Sequence, residues 1–114
     1  MAVYKRNNSQ RKGKVTYNAS IVKGIVVLAV SEVAGVTIRK GKKDKLNLIK
    51  ITFNGDVVSV AVTVDVYYGF NVPDVAFNIQ QSVKHNIEAM SKYKVDLVDV
   101  FVNGVIFDKE YAEQ

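Results

Sequence analysis

The chain has a single histidine and no cysteine, so any nucleophile, general base or soft-metal site must be built from very few residues. His85 falls at helical spacing on a polar arc with Asp74 and Asn78, the position of a solvated side chain rather than of a base held against a nucleophile. Asp96 and Asp99 are the one close acidic pair late in the chain. On a regular strand their odd spacing sends them to opposite faces, where they cannot readily share an ion. Lys40-Gly41-Lys42 holds one glycine and lacks the spacing of a phosphate-cradling loop. The GxxG clamp of one RNA-binding fold and the paired sheet aromatics of another are also missing. No catalytic residue, metal site or cofactor is expected, and the chain reads as non-enzymatic.

Binding remains, and charge is the first guide to it. The formal net charge is +5 over 114 residues, carried unevenly. Residues 1–45 hold eleven Lys and Arg against Glu32 and Asp44, whereas residues 46–114 hold five against nine acids. The positive charge sits in a tail (Lys5, Arg6, Arg11, Lys12, Lys14) and in a segment made of Arg39, Lys40, Lys42, Lys43 and Lys45. Such clusters attract nucleic acid or an anionic surface through counterion release. The plainer reading is a solvated tail and a solvated loop.

A length of 114 residues supports one domain and one core. The division expected is a flexible basic arm over residues 1–13, a folded domain over 14–107 and a frayed acidic end over 108–114. The lack of cysteine suits a reducing, cytoplasmic setting. The most apolar run, Ile21 to Val30, is interrupted by Lys23 and Gly24 and is about half the roughly 20 residues that span a bilayer. No transmembrane segment is expected.

Val15 and Tyr17 suggest a short strand, and Asn18 then stands where an N-cap belongs. The stripe Ile21, Val22, Ile25, Val26, Ala29 and Val33 predicts a helix ending at Ala34-Gly35, with the glycine in the left-handed conformation. Val27, Leu28 and Val30 lie outside that stripe, so the helix is apolar around most of its circumference. Either a sheet and a second helix cover it within the monomer, the reading preferred, or a second subunit does, with Val27 and Leu28 as contacts. Val36 to Ile38 is a short strand. Leu48 to Phe53 alternates, Asn54-Gly55 signals a two-residue hairpin turn, and Val58, Val60, Val62, Val64 and Val66 share one face of the next strand. Pro73 opens a second helix over residues 73–91 with the stripe Val72, Val75, Ala76, Ile79, Val83, Ile87 and Met90. Asn86 intrudes into that stripe and needs a nearby backbone partner. Phe77, Gln81 and Lys84 form an outward side that fits a partner contact. The last strand covers Val95 to Val102, with Phe101 on the open face as a dimer or edge contact, and Asn103-Gly104 turns the chain toward Val105 to Phe107. The sum is an α+β, two-layer domain: a three- to four-stranded, mostly antiparallel sheet with two helices packed on one face.

Four separated motifs carry a family resemblance. Tyr68-Gly69-Phe70-Asn71-Val72-Pro73-Asp74-Val75-Ala76, with Gln80 or Gln81, Val83 and Glu88-Ala89-Met90 following, resembles the "YG-x-x-I-P-E-V-A … V-Q … V … V-E-x-M" segment of the alkaline shock protein family, the envelope stress response proteins of Gram-positive bacteria and their relatives. Gly13-Lys14-Val15, Ser31-Glu32-Val33-Ala34-Gly35-Val36 and Val98-Asp99-Val100-Phe101-Val102-Asn103-Gly104-Val105 match its "G-K-I", "E-V-x-G-V" and "V-N-V-x-V-x-G-V" elements in order. Asp74 replaces a commoner Glu, Asn103 a usual Gln, and Ser91-Lys92-Tyr93 a "T-G-L" turn. The resemblance implies a non-enzymatic cytoplasmic protein held near the membrane through a membrane-associated or lipid-metabolism partner, and self-association into a homo-oligomer through the first helix is expected beside it. For a short member it implies a scaffold or regulatory role in envelope stress and fatty-acid homeostasis through protein–protein contacts. Nucleic-acid binding through the arm and residues 39–45 is the alternative.

Overall fold

In the computed structural model, the described residues are 2–4, 15–38 and 48–107. The organising element is a strand of eleven residues, β5 in chain order, whose valines alternate strictly. The elements before it are β1 (Ala2–Tyr4), β2 (Val15–Tyr17), α1 (Ala19–Ser31), β3 (Val36–Ile38) and β4 (Ile49–Asn54); β5 is Val57–Tyr67, followed by α2 (Val72–Met90) and β6 (Lys94–Ile106).

Both edges of β5 are used. Along one edge β4 pairs with its first half (Ile49↔Val62 to Asn54↔Val57) and β3 with its second (Val36↔Val66 to Ile38↔Val64), both antiparallel. Along the other edge β6 runs parallel from Val57↔Lys94 to Tyr67↔Ile106. A parallel neighbour needs a long return, and α2 supplies it: nineteen residues at about 1.5 Å each carry the chain back roughly 28 Å to the start of β5. The architecture is the expected α+β domain, with four strands in the main sheet and two of its three ladders antiparallel.

Every inward valine of β5 is essentially inaccessible to solvent. They meet Val22, Ile25, Val26, Ala29 and Val30 of α1 and Val75, Ile79, Val83 and Ile87 of α2 in one cluster. Full burial of a valine is worth about 1.5–3 kcal/mol against about 1 kcal/mol for a typical hydrogen bond, so this layer dominates the stability. The sheet and α2 bury α1 within the monomer, including Val30 from outside its main stripe. Leu28 alone of the three extra apolar residues stays exposed.

Local signals set the element ends. The Asn18 side chain accepts from Ile21 N–H and the Asn71 side chain from Asp74 N–H, both at 3.1 Å, and Pro73 lies in the first turn of α2. Ser91 Oγ donates to Ile87 O and accepts from Tyr93 N–H, so this serine closes α2 where the family pattern has a glycine turn. Asn86 donates to Ser82 O at 2.8 Å, the backbone partner expected of it.

Four expectations are corrected. The first helix ends at Ser31 rather than Ala34, because a turn over 32–35 intervenes; Gly35 does take the left-handed conformation (φ 85°). The hairpin loop is Gly55-Asp56, since Asn54 still pairs with Val57. Met90, the last residue of α2, is 45% exposed instead of continuing the apolar stripe. Most consequentially, Asn103-Gly104 is no turn: β6 continues to Ile106, and the register passes from Val64↔Val102 to Asp65↔Gly104, leaving Asn103 as a bulge. Within the expected arm, Ala2–Tyr4 pairs with Val15–Tyr17. The rest of that arm, the basic segment 39–45 and the acidic end 108–114 lie outside the described residues.

Gly35 and Gly55 both hold positive φ, but only Gly35 is crowded: a Cβ there would overlap the Phe70 ring, whereas one on Gly55 meets open space. Gly35→Ala is therefore expected to lower stability by about 3 kcal/mol and Gly55→Ala by about 1 kcal/mol in chemical denaturation. Equal losses would show that backbone conformation alone decides both.

Candidate protein-contact surface

The residues expected to make contacts fall in three places. Phe77, Gln81 and Lys84 are exposed on the outer side of α2, with Phe77 at 58%. Gln81 and Lys84 line a shallow cleft of about 220 Å³ together with Gln80 and the Val95–Val98 stretch of β6. Val27 and Leu28 belong to α1; Val27 is half-buried against the core and Leu28 is 44% exposed. Phe101, 56% exposed, projects from the opposite face of the sheet, because it pairs with Thr63 while the inward row is Val62 and Val64. No single site gathers all of them.

His85 lines a second cleft of about 430 Å³ between the turn after α1 and the face of α2, with Glu32, Asn78, Gln81, Ser82 and Asn86. Hydrogen bonds hold its floor. Ser82 Oγ donates to Ala29 O at 2.8 Å, and Asn86 Nδ2 donates to Glu32 Oε1 at 3.1 Å. These bonds tie α2 to the end of α1 and engage Ser82, Asn86 and one oxygen of Glu32. Among the described residues no group of three potential metal ligands occurs. Asp96 bounds the α2 cleft, while Asp99 pairs with Ala61 on the opposite face, so these carboxylates remain apart.

The described residues carry five lysines against seven carboxylates and no arginine. The basic candidates Arg39, Lys40, Lys42, Lys43 and Lys45 all lie outside them. The described sheet and helices thus offer no basic platform.

One surface was not foreseen. Leu97, Phe101, Val102, Val105 and Phe107, all on or at the end of β6, are exposed, and Tyr68 stacks on Phe107 with ring centroids 4.9 Å apart. Alternation in the sequence does not reveal this. A bulge at Asp96 places Val95 and Val98 on the core side, and the bulge at Asn103 keeps Val105 on the same helix-side face as Val102, opposite to Leu97 and Phe101. The cause is positional: β6 is the sheet's outer strand, and it extends beyond the helices.

The first half of the edge is capped by α2. Glu88 Oε2 accepts the Val95 N–H at 2.9 Å, and Gln80 Nε2 donates to Val98 O at 3.0 Å. Glu88→Ala is expected to cost about 1.5 kcal/mol and to speed hydrogen exchange at the Val95 amide without changing exchange at Val60 or Val62. Unchanged exchange at Val95 would show that the carboxylate does not protect the edge.

A model of the alkaline shock protein 23 family, described by a cell envelope-related function, matches residues 7–107. An uncharacterised protein of Streptococcus pyogenes serotype M6, Spy1535, is 28% identical over 106 residues, covering 85% of this chain and 82% of that protein. An uncharacterised Bacillus subtilis protein, YqhY, is 24% identical over 112 residues, covering 89% and 83%. No solved structure matches the chain.

Proposed function

Because this chain belongs to the alkaline shock protein 23 family, with its cell envelope-related function, we propose that it serves the envelope as a non-enzymatic scaffold or regulator acting through protein–protein contacts. The observation that carries this reading is the exposed apolar residues concentrated on β6 beside shallow, open clefts. Large apolar side chains grouped at a surface mark contact with other macromolecules.

The proposal places the protein in the cytoplasm, brought near the membrane by a partner. No helix among the described residues is long and apolar enough to cross a membrane. The partner class is a membrane-associated or fatty-acid-metabolising protein, following the family's short members. Phe77, Gln81 and Lys84 form the partner-facing side of α2, since all three are exposed and none has a role in the core. Affinity purification from the native cell, with mass spectrometry, is expected to recover such proteins. Phe77→Ala is expected to reduce their recovery about tenfold, equivalent to ~1.4 kcal/mol of binding. Recovery of none, or only of proteins foreign to envelope and lipid metabolism, would overturn the assignment.

The clustering of eleven basic residues within 1–45 favours nucleic-acid binding as the second reading. It predicts an affinity for RNA or DNA that falls steeply with salt and is lost when Lys40, Lys42, Lys43 and Lys45 are replaced by Gln. Absence of binding at physiological salt in a fluorescence anisotropy titration would remove it.

A further inference from the structure

We propose that the free edge of β6 pairs with β6 of a second copy, antiparallel and centred on Phe101. This inference rests on the reading that the protein works through protein contacts, and it names one of those contacts.

The direction of the backbone groups carries the argument. Within a strand, a residue's N–H and C=O point to the same side, and successive residues alternate. Lys94 donates its N–H to Asp56 O, and Ile106 O accepts from Tyr68 N–H, so these two residues address the β5 side. Val95 N–H and Val98 C=O address the other side, where Glu88 and Gln80 meet them. The bulge at Asp96 accounts for two outward residues three apart. Continuing from Val98, alternation directs Val100 and Val102 to that same edge, up to the bulge at Asn103. No strand or side chain among the described residues meets them there. An uncovered edge beside apolar side chains is a template for strand addition.

Self-pairing has one register that satisfies these groups. Val100 opposite the second copy's Val102, and the reverse, form two reciprocal hydrogen-bonded pairs, and neither disturbs Val98 nor uses the bulge. Phe101 then faces Phe101 of the second copy as the close, non-hydrogen-bonded pair, with Cα atoms about 4.5 Å apart. The same register sets Asp99 opposite Asn103, so no carboxylate faces another. A register centred on Val100 would need Val98, whose carbonyl Gln80 already occupies. Phe101 and Phe107, 56% and 76% exposed, with Leu97 on the face of Phe101 and Val102 and Val105 on the other, present on the order of 400 Å² of apolar surface over the two faces of the strand, taking roughly 150–250 Å² per aromatic side chain. That is about half of the ~800 Å² per partner in a standard interface, the size of a small dimer contact. By contrast, α1 spends its apolar circumference inside the monomer, leaving mainly Leu28 outside.

The chain has no cysteine, so single cysteines report proximity cleanly. In the full chain, Phe101→Cys is expected to form a disulfide-linked dimer under mild oxidation, because the paired Cα spacing lies within the roughly 4.4–6.8 Å that a disulfide spans. Phe77→Cys and Leu28→Cys are expected to remain unlinked. The unmodified protein is expected to sediment as a dimer at tens of micromolar, and Phe101→Asp as a monomer that keeps the circular dichroism of the wild type, since the side chain is exposed. A monomeric wild type, cross-linking through Leu28→Cys instead, or protection of the Val100 and Val102 amides only when a different purified partner is added would each overturn self-pairing. A monomer that still recovers envelope proteins refutes only this inference; a Phe101-linked dimer that recovers none refutes only the scaffold reading.

Discussion

The structure depends on β5 being paired along both edges while its inward valines are sealed beneath two helices. Val58, Val60, Val62, Val64 and Val66 lie in one row with essentially no exposure. The other strands of the main sheet and both helices are placed by that requirement. β4 and β3 divide one edge between them, β6 fills the other, and α1 and α2 close the inward face. A strand hydrogen-bonded on both sides leaves no backbone group unsatisfied, so the cost of burying it is met and the apolar gain is retained.

This arrangement has a price at its margin. With β5 in the middle, β6 becomes the outer strand, and as a parallel neighbour it must be reached by the α2 crossover. The same helix then guards the edge it created, through Glu88 and Gln80 on the Val95 and Val98 backbone. Its guard ends where β6 runs on past the bulge at Asn103. Apolar side chains appear there on both sides of the strand because no element among the described residues covers them. The contact surface is thus a consequence of topology rather than of a dedicated motif.

The polar residues of α2 divide between holding and meeting. Ser82 and Asn86 face α1, where Ser82 binds the Ala29 carbonyl and Asn86 binds Glu32. A hydroxyl donating to an inaccessible helix carbonyl fixes the approach of two helices whose remaining contacts are non-directional. His85, one position before Asn86, shares the cleft but is exposed. Phe77, Gln81 and Lys84 look outward, free of the core, and form a face separated from Phe101 by the thickness of the sheet.

Much of this was legible along the chain. Strict alternation identified β5 and its inward row, Asn18 and Pro73 announced the helix starts, and the stripe of α2 predicted Val75, Ile79, Val83 and Ile87 as core. These are local properties: a period of two or 3.6 and the needs of a helix terminus act over a few residues, and the sequence carries them without reference to the rest of the fold. Asn103-Gly104 misled because its preference for a turn is also local, whereas a continuous ladder with β5 on one side outweighs it. The two bulges, the exposure of Val102 and Val105, and the free edge after Val98 were not legible. They depend on which strand stands outermost and how far it outruns the helices, a matter of distances between residues remote in sequence that only the assembled sheet decides.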